Sequence, residues 1–315
     1  MSTAFIYSEG VLNHDTGLGH PENSGRIESV LSCLKKEAWF SNSIQHQFPV
    51  SQPEILSSIH HPAYIQKVKN LCTEGVRFID SPDVAVCPDS FGAALLSADM
   101  SLALVDRIFD GPYTNGFVLT RPPGHHAKKS EAMGFCLFNN IAVAVKYAQQ
   151  KYKLSRVAIV DWDVHHGNGT QDCFYDDPSV FYASIHQFPF YPGTGRKDET
   201  GSGRGRNATL NMPLPAGCGD IHYKDLFESV LLPALDNFRP EAVFISAGFD
   251  AHADDPLGSM NLSSEMYRWM TKKLTETANR YSDGHVLSFL EGGYHPQALT
   301  ESISMHLSGL MNPTD

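Results

Sequence analysis

The sequence predicts an α/β fold in which a mainly parallel sheet lies between helices. Short apolar runs rich in β-branched residues alternate along the chain with longer segments of helical periodicity. Most of the short runs are continuously apolar, as in Val157–Val160, which is typical of strands covered on both faces. The 315 residues are 42% hydrophobic and contain no repeat, low-complexity tract or linker. We therefore expect a single domain over residues 1–315.

Seven apolar runs predict strands, and seven longer segments predict helices. The predicted strands are Ala4–Tyr7, Gly116–Leu119, Arg156–Val160, Val180–Ile185, Ala208–Met212, Ala242–Ala247 and His285–Leu290. The predicted helices are Ser24–Lys36, Ala63–Cys72, Ser90–Phe109, Asn139–Lys151, Ile221–Phe238, Ser263–Tyr281 and Pro296–Leu310. Asn23 or Ser24 is a suitable cap for the first helix. Residues 187–207 form a long connection rich in Gly and Pro, which is typical of a functional loop.

Composition and charge exclude several classes of protein. Lys and Arg number 24 against 35 Asp and Glu, a net charge of −11, which argues against direct binding of nucleic acid. The six cysteines have no Cys-x-x-Cys spacing, so they predict free thiols in a reducing compartment. The N-terminus has no basic leader region, and no stretch approaches the ~20 apolar residues of a membrane span. We expect a cytoplasmic protein that does not enter the membrane.

Polar and titratable residues directly follow five of the predicted strands. In an open parallel sheet, ligands bind beyond the carboxyl ends of the strands, so these residues should meet at one edge. The five segments are Thr120–His126, Asp161–Gly169, His186, Gly248–Asp255 and Glu291–Tyr294. This coincidence predicts a functional site at that edge.

The segment after the third predicted strand has the composition of a metal site. Asp161, Asp163 and His165 alternate, so in an extended chain they share one face. Carboxylate oxygens and an imidazole nitrogen suit Zn²⁺ or Fe²⁺, and Asp250 supplies a further ligand from another strand end. Three protein ligands leave room for water, as in catalytic sites. Alternatively, the short run alone is a strand end with solvated acids and a hydrogen-bonded core histidine. We expect Asp254 and Asp255 to be solvated loop acids or caps.

Two further segments carry groups suited to catalysis. His125 and His126 follow a stiff Pro-Pro-Gly turn, and one of them can act as general base because its pKa lies near neutrality. Gly292 and Gly293 give a flexible approach for Tyr294, whose phenol can donate a hydrogen bond. The alternatives are two surface histidines and a core tyrosine. A serine hydrolase is disfavoured because no Gly-x-Ser-x-Gly segment is present.

Together these segments resemble the zinc-dependent histone deacetylase family, most closely its class II and bacterial deacetylase-like branch. The resemblance runs from Gly19-His20-Pro21 to the C-terminal helix. The motifs that carry it are Arg121-Pro-Pro-Gly-His125-His126, Gly134-Phe135-Cys-Leu-Phe-Asn-Asn, Asp161-Trp-Asp163-Val-His165-His166-Gly-Asn168, Tyr191-Pro-Gly-Thr-Gly, Ser246-Ala-Gly-Phe-Asp250 with Asp-Asp-Pro-Leu257-Gly, and Leu290-Glu-Gly-Gly-Tyr294. It implies an arginase-like fold with an eight-stranded, mainly parallel sheet flanked by helices.

The resemblance implies a role for each polar residue. Zn²⁺ would bind Asp163, His165 and Asp250, and Fe²⁺ accepts the same ligands. His126 would be the main general base and later the acid for the leaving amine.

Four more residues acquire roles around that base. His125 would be an electrostatic partner oriented by Asp161, and Asn168 would orient His126. Many relatives have Asp at the position of Asn168, so His126 should be less strongly polarised here. Tyr294 would hydrogen-bond the substrate carbonyl and its oxyanion.

The same resemblance implies residues for the substrate channel and for potassium. The channel for an acyl-lysine stem would involve Gly134, Phe135, Phe190, Tyr191, Leu257 and Gly293, with Asp83 at the rim. One potassium ion would bind Asp161, Asp163, His165, Ser184 and Ile185, and another the backbone near Phe174, Asp177 and Val180.

Two departures from related families refine the predicted activity. Gly167 and His252 stand where binuclear manganese members of the fold have aspartates, which argues against a ureohydrolase. Leu257 stands where polyamine-selective deacetylases have an acidic residue, which favours acyl-lysine. The predicted function is zinc-dependent removal of acetyl or other acyl groups from protein lysines. An acetylpolyamine amidohydrolase is the first alternative, and a non-catalytic acyl-lysine binding protein is the second.

Overall fold

The computed structural model describes residues 3–46 and 53–312. Eight strands form one sheet and two form a separate antiparallel hairpin. The strands are β1 (Thr3–Tyr7), β2 (Ile44–Gln45), β3 (Phe78–Ile79), β4 (Ser81–Ala85), β5 (Asn115–Val118), β6 (Val157–Asp161), β7 (Val180–Gln187), β8 (Thr209–Leu214), β9 (Ala242–Ala247) and β10 (Val286–Leu290). The hairpin is β3–β4.

The large sheet has the order β2-β1-β5-β10-β9-β6-β7-β8, and all its described pairings are parallel. Every residue of β5, β6, β7, β9 and β10 is buried, which explains their continuous apolar character. Asp161 at the end of β6 pairs in register with Ser246 of β9 and Ser184 of β7. The carboxyl ends of these strands therefore lie side by side, and the predicted fold class is confirmed.

Helices flank the sheet. They are α1 (Ser24–Leu34), α2 (Pro62–Thr73), α3 (Ser90–Phe109), α4 (Asn140–Tyr152), α5 (Asn168–Phe174), α6 (Asp220–Leu226), α7 (Leu232–Phe238), α8 (Ser264–Tyr281) and α9 (Pro296–Met311). Asn23 caps α1 as predicted, because its side chain accepts the N–H of Gly25 at 3.0 Å. Ser263 precedes α8 but donates its hydroxyl to Asp220 at 2.7 Å instead of capping the helix.

The differences from the predicted elements are local. The helix predicted over Ile221–Phe238 is divided by a π-helical turn, Phe227–Leu231, ahead of Pro233. Proline has no N–H to continue the α-helical pattern, so the backbone widens by one turn before it. The short elements β2, β3, β4 and α5 were not predicted, since two to seven residues are too few to show a period.

A contiguous apolar core runs through the described ranges and includes residues from the sheet and from helices on it. The single domain over 1–315 stays a prediction, and residues 1–2, 47–52 and 313–315 lie outside the described part. All six cysteines are free, and Cys72, Cys136 and Cys218 are buried. Within residues 3–46 and 53–312, none of the helices combines the length and apolar character needed to cross a bilayer.

Candidate active site

Three predicted ligands converge at the carboxyl edge of the sheet. Asp163 and His165 follow β6, and Asp250 follows β9. His165 Nδ1 lies 3.0 Å from Asp163 Oδ1 and 3.2 Å from Asp250 Oδ2. Among the described residues, these three form a cluster whose ligand atoms all lie within 4.8 Å of one another. His165 and Asp250, 85 positions apart in the chain, are thus brought together by the parallel register of β6 and β9.

Backbone N–H groups fix both carboxylates of the cluster. Asp163 Oδ1 accepts the N–H of His165 and Oδ2 accepts the N–H of Gly292, each at 2.9 Å. Asp250 Oδ1 accepts the N–H of Val164 at 2.8 Å, which leaves Oδ2 directed at the imidazole of His165. The side chains of Asp163 and Asp250 are at most 1% exposed. Backbone hydrogen bonds therefore determine the orientation of both carboxylates.

The donor chemistry of the cluster fits a divalent cation. Burial and the neighbouring Asp163 carboxylate raise the pKa of Asp250 to about 7, because two anions lie close together away from water. A cation bound between them would relieve this repulsion. Two carboxylate oxygens and one imidazole nitrogen form a ligand set that suits Zn²⁺.

Asp161 does not join this cluster, although simple alternation placed it on the same face. Strand β6 ends at Asp161, so the extended geometry does not continue through Asp163. Asp161 Oδ2 instead lies 3.1 Å from His125 Nδ1 and accepts the hydroxyl of Tyr182 at 3.1 Å. Asp161 therefore faces the histidine pair.

The two histidines lie beside the cluster with different partners. Their ring centroids are 4.0 Å apart, and both side chains are buried. His126 Nδ1 lies 2.8 Å from Asn168 Oδ1, so it carries the proton and leaves Nε2 as an acceptor. The turn that carries them is held by Glu291, whose Oε2 accepts the N–H groups of Gly124 at 2.6 Å and His125 at 3.1 Å.

The two imidazoles differ in charge because their surroundings differ. Burial acts to lower the pKa of His125, but the carboxylates of Asp163 and Asp161 outweigh it and raise the pKa to about 10. Burial lowers the pKa of His126 well below its usual value, and His125 and His165 lower it further. A charged imidazole therefore lies against a neutral one that can accept a proton.

A cavity of about 310 Å³ leads to this group of side chains. Its lining consists of Asp83, His126, Gly134, Phe135, His165, Phe190, Tyr191, Leu257 and Tyr294. All of the predicted channel residues except Gly293 belong to this lining. The carbonyl of Gly293 instead accepts the Nε–H of Arg26 at 2.6 Å, and its φ of +121° is one that residues with side chains rarely adopt.

Aromatic rings form the walls of the cavity. Phe190 stacks on His165 with a centroid distance of 5.4 Å, and Phe135 meets Tyr294 edge to face at 5.8 Å. Tyr191 stands perpendicular to His126 at 5.3 Å, and its hydroxyl donates to Asp83 Oδ2 at 3.0 Å. The channel is thus apolar along its walls and polar at its rim and floor.

Tyr294 is held from two sides by residues that sequence reasoning missed. The guanidinium carbon of Arg26 lies 4.8 Å from the centre of the Tyr294 ring. Asp255 Oδ2 accepts the N–H of Tyr294 at 2.6 Å, and Asp255 is 7% exposed, so of its two predicted roles it caps backbone N–H groups and is not solvated. Arg26 could have been suspected, since it shares a helical face with Ile27 and Val30, and a charge on an apolar face predicts a buried partner.

The residues predicted for potassium lie in two places. Asp161 and Ser184 face each other in register on β6 and β7, with Ile185 next in the chain. The second set is Phe174, Asp177 and Val180, in the turn after α5. There the N–H of Asp177 donates to the carbonyl of Phe174 at 3.1 Å, and the N–H of Val180 donates to the carbonyl of Asp177 at 3.3 Å. Both potassium sites stay predictions.

The described site defines a class of protein, a parallel α/β protein with a candidate metal centre at the floor of an apolar channel. The Histone deacetylase domain matches residues 20–310, and the chain belongs to the histone deacetylase family. It is 39% identical over 302 residues to "Histone deacetylase 10, chloroplastic" of Oryza sativa subsp. japonica, covering 90% of this chain and 68% of that one.

Two further similarities bear on fold and activity. The structure of the HDA15 HD domain superposes with a TM-score of 0.92 at 35% identity, covering 99% of this chain and 91% of that one. The chain is also 36% identical over 326 residues to "Polyamine deacetylase HDAC10" of Homo sapiens. That similarity covers 99% of this chain and 48% of the human protein, so the chain spans about half of its length.

Proposed function

We propose that this chain is a zinc-dependent hydrolase that removes acetyl or other acyl groups from lysine side chains of proteins. The observation that carries the proposal is the convergence of Asp163, His165 and Asp250 beside His126 and Tyr294 at the floor of one channel. These three ligands would hold Zn²⁺, and Fe²⁺ fits the same set. When bound, the metal supplies a Lewis acid that polarises the acyl carbonyl and lowers the pKa of water.

The shape and polarity of the channel suit an acylated lysine. Its walls, Phe135, Phe190, Tyr191 and Leu257, present apolar surface to the aliphatic stem of the side chain. The amide at the end of that stem reaches His126 and Tyr294. A charged amine would not be stabilised along such walls, so the neutral acylated form is the better fit.

The proton transfers of amide hydrolysis are assigned to the histidines. Neutral His126 accepts the proton of the attacking water at Nε2, while Asn168 keeps Nδ1 protonated. His126 then donates that proton to the leaving lysine amine. His125, charged through its contact with Asp161, adds positive potential beside the developing negative charge.

Tyr294 is assigned to the substrate carbonyl. Burial raises the pKa of its phenol well above the usual value, so the hydroxyl remains protonated and can donate. A hydrogen bond to the carbonyl oxygen strengthens as negative charge develops there. Loss of one such donor typically reduces the rate by about 10²–10³-fold.

Asp83 is assigned to the peptide backbone at the rim. Its Oδ2 accepts the N–H of Gly134 at 3.2 Å and the hydroxyl of Tyr191 at 3.0 Å. Its Oδ1 is buried and has no hydrogen-bond partner among the described residues. The hydrogen bonds of Oδ2 hold this carboxylate at the rim of the channel, where the resemblance to the deacetylase family implies a contact with the substrate backbone.

An acylated polyamine is the alternative substrate, and the similarity to a polyamine deacetylase favours it. Leu257 gives no electrostatic attraction for a distant ammonium group, which favours lysine. Initial rates on acetylputrescine and on an acetyl-lysine peptide separate the two. A peptide rate below the polyamine rate would contradict the preference for lysine.

Two predictions complete the proposal. Potassium ions at the Asp161–Ser184 and Phe174–Val180 positions would support the site without taking part in the chemistry. A cytoplasmic location is the second, because the six free cysteines are typical of a reducing compartment.

The proposal is tested with acylated peptides and polyamines, assayed with and without a chelator. His126→Ala and Tyr294→Phe are each expected to remove most of the activity of the wild-type chain while the fold and zinc content are retained. Tyr281→Phe, a partly buried tyrosine at the end of α8, is the matched control. Wild-type turnover in His126→Ala or Tyr294→Phe would contradict the assigned roles, and binding without product would favour a non-catalytic acyl-lysine binding protein.

A further inference from the structure

Asp255 lies in the loop after β9, five residues beyond the predicted ligand Asp250. It is 7% exposed, whereas the side chain of the adjacent Asp254 is 69% exposed. Burying a carboxylate costs free energy unless hydrogen bonds replace those it made to water. The hydrogen-bond donors around Asp255 therefore have to compensate for its burial.

The two oxygens of Asp255 accept backbone N–H groups from two different loops. Oδ1 accepts the N–H of Leu257 at 2.9 Å, and Oδ2 accepts the N–H of Tyr294 at 2.6 Å. Leu257 and Tyr294 both line the channel. One carboxylate therefore ties the backbone of a wall residue to the backbone of the residue assigned to the substrate carbonyl.

Asp255 completes a set of restraints on Tyr294. The guanidinium of Arg26 packs on one side of the ring, and its Nε–H binds the carbonyl of Gly293 at 2.6 Å. Gly292 is bound through its N–H to Asp163 at 2.9 Å. Asp255 accepts the N–H of Tyr294. The loop that carries Tyr294 is therefore connected both to the predicted ligand Asp163 and to the channel wall at Leu257.

We propose that Asp255 is a positioning residue for deacetylation, which holds the Tyr294 phenol against the substrate carbonyl. The inference rests on the proposed function, because that function assigns Tyr294 to the carbonyl. Asp255 acts through the backbone and does not contact the reacting atoms. Its loss displaces a donor that matters most in the transition state, so kcat should fall more than KM rises.

The test compares Asp255→Asn with Asp254→Asn, a neighbouring substitution with the same change in charge. A side-chain amide can accept with only one oxygen, so it cannot hold both N–H groups. Asp255→Asn is expected to lower kcat on an acetyl-lysine peptide by roughly 10- to 100-fold, since a misplacement of about 1 Å can cost ~10²-fold. Asp254→Asn should retain kcat within about twofold, and both variants should retain the zinc content of the wild type.

A double-variant cycle distinguishes positioning from a general structural role. If Asp255 acts through Tyr294, then Tyr294→Phe with Asp255→Asn should be no slower than Tyr294→Phe alone. Asp255→Glu keeps the charge but moves the carboxylate, so it should also lose kcat. If Asp255→Asn does not fold, Asp255→Glu takes its place in the double-variant cycle.

Four outcomes would overturn the inference. They are wild-type kcat in Asp255→Asn, multiplicative losses in the double variant, full activity in Asp255→Glu, and failure of both Asp255 variants to fold, which would make Asp255 a stability residue. An inactive wild-type chain would instead contradict the proposed function. Failure of one proposal is therefore distinguishable from failure of the other.

Discussion

At the scale of single residues, glycines shape the candidate metal site as much as its predicted ligands do. A methyl group added to Gly292 would collide with Asp250 Oδ2 and would lie 2.7 Å from Asp163 Oδ2. A methyl group on Gly248 would collide with the same carboxylate of Asp163. These positions therefore admit only glycine while the carboxylates keep their orientation.

Gly292→Ala is expected to weaken zinc binding by about 10- to 100-fold, the range seen when groups that orient metal ligands are altered. The added methyl group must displace carboxylates that backbone N–H groups now fix. Zinc affinity by competition with a chromophoric chelator measures the change. Gly92→Ala is the control, since nothing lies within 4 Å of the added atom in the exposed face of α3. Equal zinc affinity in the two variants would contradict this account.

Sequence reasoning identified the residues of the site better than their surroundings. Asp163, His165 and Asp250 could be placed together because each follows a parallel strand. Asp161 and Asp255 could not be placed, because the direction of a loop side chain depends on backbone turns that have no periodic pattern. Spacing alone therefore predicts which residues reach the edge of the sheet but not which way each one points.

At the scale of elements, a buried ion cluster connects α1 to the loops of the site. Glu22 Oε1 accepts from Arg26 at 2.9 Å and from Arg121 at 2.8 Å, and all three side chains are at most 1% exposed. Burial acts to raise the pKa of Glu22, but the two guanidinium groups outweigh it and lower the pKa to about 2. Arg26 also donates to the carbonyls of Glu291 and Gly293, so the cluster supports the loop that carries Tyr294.

Glu22→Gln is expected to lower the free energy of unfolding by about 3–5 kcal/mol, because two buried guanidinium groups lose their counter-charge. Urea denaturation measures the change. Glu9→Gln is the control, since Glu9 pairs with Lys35 at 2.9 Å with both side chains about half exposed. That variant should change stability by less than about 1 kcal/mol. A loss below about 1 kcal/mol in Glu22→Gln would show that the buried ion cluster does not stabilise the fold.

The elements themselves were predictable where they are long. Predicted and observed boundaries of the buried strands and long helices differ by one or two residues, because apolar runs and helical periods mark them. The strand β2 has two residues and the helix α5 has seven, and pairing with neighbours decides their structure. The π-helical turn before Pro233 likewise needs tertiary context.

At the scale of the whole molecule, several buried histidines make the fold sensitive to acid. Burial lowers the pKa to about 4 for His14, His60 and His166, and to about 3 for His186 and His306. In the unfolded chain these groups titrate near 6.5. Between pH 6.5 and about 4 the unfolded chain therefore binds more protons, so stability falls as the pH falls.

The contribution of these five histidines to the free energy of unfolding is expected to be constant above pH 6.5 and to fall steeply below it. Each histidine contributes about 1.4 kcal/mol per pH unit in that window. Burial raises the pKa of Glu291 and of Asp250 to about 7, so both carboxyl groups take up protons in the native state within this window. Their uptake offsets that of two of the five histidines in the unfolded chain. The five histidines outweigh these two carboxyl groups, so the free energy of unfolding still falls as the pH falls. Urea unfolding between pH 7.5 and 4.5 measures it, and a flat profile would contradict the inferred neutral histidines.

We propose that strands distant in sequence bring Asp163, His165 and Asp250 together to hold one divalent cation used in deacetylation. Crystals of the active wild-type chain are measured on both sides of the zinc absorption edge. One anomalous peak per chain is expected, in contact with these three side chains at the floor of the channel. Active protein with no peak there, or with its metal bound elsewhere, would contradict it.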